Sequence, residues 1–169
     1  MNIDKTLKTF SAIALAVALG IGIAPTATAA DLSPKLASIQ IKTDYKSNLR
    51  SYKAQLAKLA GAEAEIINGW SSVSGENYTT DAVMYAKLKV LLPKISKFIR
   101  SIEAIKPKDS KIYKAHAVYV SGWNLQFQGF TMTLAALETQ DYSKVTAANG
   151  YLAQGRAKIA AFTQTLSKL

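Results

Sequence analysis

Apolar residues recur along this chain at alternating steps of three and four, the spacing that places them on one face of a helix. Four such stripes can be traced. The first passes through Tyr45, Leu49, Tyr52, Leu56, Leu59, Glu63, Ile66 and Trp70, and the second through Met84, Leu88, Leu91, Ile95, Phe98, Ile102 and Ile105. The third takes Ile112, His116, Tyr119, Trp123, Gln126, Phe130, Leu134 and Leu137, and the fourth Val145, Ala148, Leu152, Gly155, Ile159, Phe162, Leu166 and Leu169. No stripe alternates with the period of two that a half-buried strand requires.

The stripes predict helices over about residues 44–72, 80–105, 109–138 and 142–168. Turn-forming residues fill the gaps: SSVSGENYTT from Ser71 to Thr80, Lys106-Pro107-Lys108, and Thr139-Gln140-Asp141. Thr80 or Asp81 can cap the second helix, and Asp109 the third, because a short side-chain oxygen there accepts from free backbone N–H groups of the first turn. Leu36, Ile39 and Ile41 fall out of phase with the first stripe, so residues 34–42 are expected to form a separate short helix or an overhanging turn. Pro93 and the pair Asn149-Gly150 interrupt the second and fourth helices without shifting their stripes, which predicts continuous but bent helices. Four helices of similar length joined by short connections predict an all-α fold, an antiparallel up-down four-helix bundle.

The first thirty residues follow a different pattern. Lys5 and Lys8 precede an uncharged apolar run from Phe10 to Ala24, followed by Pro25 and the small residues up to Ala30. That order predicts a cleavable signal peptide over residues 1–30, cut before Ala30 or before Asp31. A retained membrane anchor is the rival, but the run is shorter than the ~20 residues that span a bilayer. The short basic start and alanine-rich end have the bacterial form, and without Cys the chain cannot carry a lipoprotein's acyl anchor. The expected destination is therefore secreted or periplasmic, with no transmembrane anchor after cleavage. Stability must come from an apolar core, since no disulfide is available.

Charge adds a direction to this picture. An antiparallel bundle gathers 14 basic residues at the end holding the termini and the Lys106–Lys108 connection, against Asp31, Asp44, Glu103 and Asp109, a balance of +10. The other end holds five basic and six acidic residues, a balance of −1. Lys94, Lys97, Arg100, Lys106, Lys108, Lys111 and Lys114 form the candidate anion-binding patch. The partners this suggests are an anionic wall polymer, a lipid surface or an acidic protein, all approached through a salt-sensitive field. Specific nucleic-acid recognition is not expected, because the patch is poor in Arg and no recognition motif is present.

Catalytic chemistry finds little to work with. One His, no Cys and no Glu-x-x-His leave no ligand set for zinc, a di-iron centre or covalent haem, so neither metal nor cofactor is expected. No phosphate-binding glycine loop or Gly-x-Ser-x-Gly elbow occurs. Asp109 lies two helical turns from His116, too far to pair with it, so His116 reads as a packing residue and the chain as a non-enzyme. Asn77-Tyr78-Thr79 matches a glycosylation sequon, which matters only in a eukaryotic source.

Glu63 is the outlier, a carboxylate on an apolar stripe. Counting along straight helices places Gln126 and Gly155 within about a turn of it, with Tyr151 and Gln154 close by. One reading is an interior ligand pocket of Glu63, Trp123, Gln126, Phe130, Tyr151 and Gln154; the other is a hydrogen-bonded layer that fixes helix register. The function expected first is an exported binding or structural protein acting through its lysine-rich end. A small-ligand or peptide carrier using the Glu63 level is the alternative, and a membrane-active secreted protein a lesser one. No motif names a family.

Overall fold

The computed structural model describes residues 33–169, with side chains from Asp44 onward; the predicted signal peptide lies outside the described residues. The fold is all-α: α1 (Ser33–Ala57), α2 (Ala60–Ser71), α3 (Asp81–Glu103), α4 (Ser110–Thr139) and α5 (Ser143–Lys168), with a short 3-10 turn at Gly75–Asn77. Among the described residues there is no strand, and no helix is long and apolar enough to cross a membrane.

Where the pattern predicts one helix over 44–72, the structure has two. α1 closes with a tight turn in which Leu59 N–H donates to the Leu56 carbonyl, and α2 opens on Ala60-Gly61-Ala62. Glycine is a weak helix former, and nothing stands within 4 Å of where a Gly61 side chain would project, so packing does not hold this stretch in register. The break lets each half bury its own stripe: Tyr52 and Leu56 from α1, Ile66 and Trp70 from α2. At the other end α1 starts at Ser33 without interruption, so residues 34–42 continue this helix rather than forming a separate one. The side chains of Leu36, Ile39 and Ile41 lie outside the described residues.

α3 and α4 start where their caps predict. The Thr80 hydroxyl accepts from Val83 N–H, and the Asp109 carboxylate accepts from the N–H groups of Lys111 and Ile112. α3 runs on through Pro93, and α5 through Asn149-Gly150. α4 stops at Gln140, whose left-handed backbone (φ 53°) turns the chain into α5.

α4 is the central element, packed against α3 on one side and α5 on the other, while α2 packs on α3. Its contact with α5 is exceptionally close because Gly122, Gly129 and Gly155 lie between the two backbones. A methyl group at Gly155 would sit 2.8 Å from the Gly122 carbonyl oxygen, so no side chain separates the helices there. Large rings fill the remaining core. Trp70 meets Phe130 edge-on with centroids 4.9 Å apart, Phe98 meets Trp123 at 4.8 Å, and Tyr119 stacks on Phe162 at 4.4 Å.

Candidate functional site

Hydrogen bonds between distant segments show which helix ends share each end of the molecule. The Tyr45 hydroxyl donates to the Leu169 carbonyl at 3.3 Å, joining α1 to the C-terminus. Tyr52, in α1, lies 3.1 Å from Nδ1 of His116 near the start of α4, and that imidazole also bonds the backbone of Ile102 in the last turn of α3. One end thus collects α1, the end of α3, the start of α4 and the end of α5.

This is the lysine-rich end, and its cations face water. Lys97, Arg100, Lys106, Lys108, Lys111 and Lys114 are all exposed. Arg100 donates to Ser96 Oγ at 3.0 Å, and Lys106 to the Glu103 carbonyl at 2.7 Å. Among the described residues the ion pairs are Lys94–Glu65 and Lys144–Asp141, so none of these six cations has a carboxylate partner there. Lys94 departs from the expected patch. It reaches across to Glu65 on α2, which neutralises it locally and places it toward the middle of the molecule.

His116 lies directly beneath this surface, 5% exposed. Burial lowers its pKa, the bond to Ile102 works against that, and the charge of Lys106 lowers it further. The unfolded chain therefore binds the proton more readily than the folded one, so stability should fall as pH drops below about 6.5 and the loss should level off at the lower folded pKa. Urea unfolding between neutral and mildly acid pH checks this. His116→Gln, whose amide can bond the Tyr52 hydroxyl but does not titrate, should flatten that part of the profile; an unchanged profile would locate the effect elsewhere.

Midway along the molecule, the Tyr119 hydroxyl donates to Glu63 Oε1 at 2.8 Å, linking α4 to α2. The Trp123 indole N–H lies near the same carboxylate and favours its charged form, although it completes no hydrogen bond. Burial nevertheless dominates and raises the Glu63 pKa above the usual carboxylate value. Of the six residues expected to line a pocket, Glu63 and Trp123 lie together at this layer. Gln126 is turned toward α5, where Nε2 donates to the Leu152 carbonyl at 2.6 Å, and Phe130 packs on Trp70. Tyr151 is half-buried, and Gln154 is exposed.

Tyr119 is the member of this layer that sequence reasoning passed over. Its signal was present: it sits four residues before Trp123 on the same stripe, and a buried hydroxyl needs a partner. The opposite end carries a similar clasp. The Asp81 carboxylate accepts from the hydroxyls of Tyr78 and Tyr142, beside a cavity of about 20 Å³ lined in part by Trp70, Met84, Thr133 and Asn149. That volume holds about one water molecule. No group of three His, Asp or Glu side chains that could hold a metal ion occurs among the described residues. Compared with protein-family profiles, curated proteins and solved structures, the chain matches none.

Proposed function

We propose that this chain is an exported, non-catalytic protein that engages an anionic component of the cell envelope through its lysine-rich end. The observation carrying this reading is the exposed set Lys97, Arg100, Lys106, Lys108, Lys111 and Lys114, with no carboxylate partner among the described residues. Such a set sums to a field that attracts polyanions and weakens as salt shortens the Debye length. The architecture proposed with it is an up-down four-helix bundle in which α1 and α2 share one arm. Its support is the grouping of helix ends by Tyr45–Leu169 and Tyr52–His116 at one end and Tyr142–Asp81 at the other.

Export is part of the proposal and rests on residues 1–30, with their Lys5 and Lys8, apolar run and small-residue ending. The layer at Glu63 serves as a register device between α2 and α4, because its carboxylate is taken up by Tyr119 and faced by Trp123.

Retention on purified anionic wall polymer, measured across a salt series, tests the reading. The protein should be held at low salt and released as salt rises. Changing Lys106, Lys108, Lys111 and Lys114 together to Glu should weaken retention tenfold or more while leaving the helical circular dichroism unchanged. Equal retention of the variant would sink the proposal.

A further inference from the structure

Two large apolar side chains stand in water beside the lysine-rich end. Tyr113 is 58% exposed and Val118 37%, both on the outer side of α4. At 100° per residue, Tyr113, Lys114, Ala117, Val118 and Ser121 share one outward strip about 140° wide. Neither Tyr113 nor Val118 belongs to the buried stripe of its helix, so the core does not account for them. Cations rim the strip from two elements. Lys111 and Lys114 come from α4 itself, while Lys158 reaches over from α5 and donates to Ser121 Oγ at 2.8 Å, one turn beyond Val118. Lys106 and Lys108 close the end nearest the loop before α4.

A soluble polyanion needs only the charges. An anionic bilayer presents charge and, just beneath it, an apolar boundary at which tyrosine rings and lysine stems are favoured. The other exposed valines, Val83 and Val90 on α3, flank Lys87, which is only partly exposed, and Lys94, which is paired with Glu65, so fewer free, fully exposed cations surround them than surround the α4 strip. Charge complementarity therefore selects the α4 strip.

We infer that the outer strip of α4 from Tyr113 to Ser121 is a docking face for an anionic lipid surface, with Tyr113 and Val118 entering the headgroup layer between lysines. This rests on the reading of the lysine-rich end and names its partner. Docking would lay α4 along the surface rather than across the membrane. Each lysine removed from the rim should weaken binding roughly fivefold in low salt, the effect of one basic residue at an anionic leaflet.

The test uses protein purified from the producing cells and vesicles of equal parts phosphatidylcholine and phosphatidylglycerol. Because the chain has no Cys, Val118→Cys and Val90→Cys each accept a single environment-sensitive fluorophore. The label at position 118 should shift to the blue on adding these vesicles and stay unchanged with pure phosphatidylcholine. The label at 90 should not respond. Tyr113→Ala should lower vesicle affinity several-fold yet leave binding to soluble poly(glycerol phosphate) intact. A silent label at 118, or equal shifts at both positions, overturns the lipid inference. If poly(glycerol phosphate) is then still held and the four-lysine reversal releases it, the polyanion reading stands alone; if it is not held, that reading falls as well.

Discussion

Replacing Gly155 with alanine is expected to destabilise the fold by about 2 to 3 kcal/mol, although helix propensity alone favours alanine by about 1 kcal/mol. The reason is the closeness of α4 and α5. A Cβ at this position would stand 2.8 Å from the Gly122 carbonyl oxygen, 3.0 Å from the Gln126 backbone nitrogen and 2.5 Å from Gln126 Nε2. The first two are backbone atoms, so relief requires the helices to move apart. The third cannot yield easily, because Gln126 is 1% exposed and its amide is held by the Leu152 carbonyl. Separating the helices would also loosen Leu152 and Ala148, which pack over Gly129.

Gly150 supplies the control on the same helix. Nothing stands within 4 Å of its would-be Cβ. Gly150→Ala should therefore gain up to about 1 kcal/mol from propensity. Urea denaturation of both variants reads the result, and a gain for Gly155→Ala would mean that α4 and α5 are not this close in solution.

The second large effect concerns the layer between α2 and α4. Tyr119→Phe keeps the stacking on Phe162 and removes only the hydroxyl that donates to Glu63. It leaves a half-buried carboxylate short of its main donor, a change expected to cost about 1.5 to 3 kcal/mol at neutral pH. Glu63→Gln should act in the opposite direction. Burial raises the Glu63 pKa, so the folded state disfavours its charge, and an amide keeps an acceptor for Tyr119 without one.

The sign follows from linkage. A raised carboxyl pKa means that the stability it contributes is fully present below the usual carboxyl value, about 4.5, and is lost as pH rises through the folded pKa. The advantage of Glu63→Gln should accordingly appear at neutral pH and shrink toward pH 4. A variant less stable than the parent at neutral pH would show that the charge itself is wanted, through the α2 N-terminus where Glu63 occupies the first turn.

His116 and Glu63 pull pH dependence in opposite directions. Acidification costs stability through His116, whose folded pKa is lowered, and returns some through Glu63, whose folded pKa is raised. Single substitutions separate the two, because each flattens a different part of the profile.

Much of the helix pattern could be read from the chain before folding. An apolar stripe with helical period needs only local geometry, and so do the caps at Thr80 and Asp109, which depend on residues within three positions. The exposure of the six unpaired cations follows the same logic, since long charged side chains seek water wherever a helix gives them an outer face.

Tertiary structure decided the rest. A stripe states which face is buried but not which neighbour it meets, and the stripe is broad enough to serve two helices at once. Gln126 could therefore be placed near Glu63 by counting along straight helices, whereas the fold turns it to α5 and gives Glu63 to Tyr119. The break at Lys58–Leu59 shifted α2 relative to that count. The distances across Gly122 and Gly155, the pairing of Lys94 with Glu65, and the reach of Lys158 to Ser121 all join positions far apart in the chain. Apart from the break before α2, local sequence determines the helices and their wet and dry sides; packing sets which sides touch, because that choice depends on the shapes of all the neighbours together.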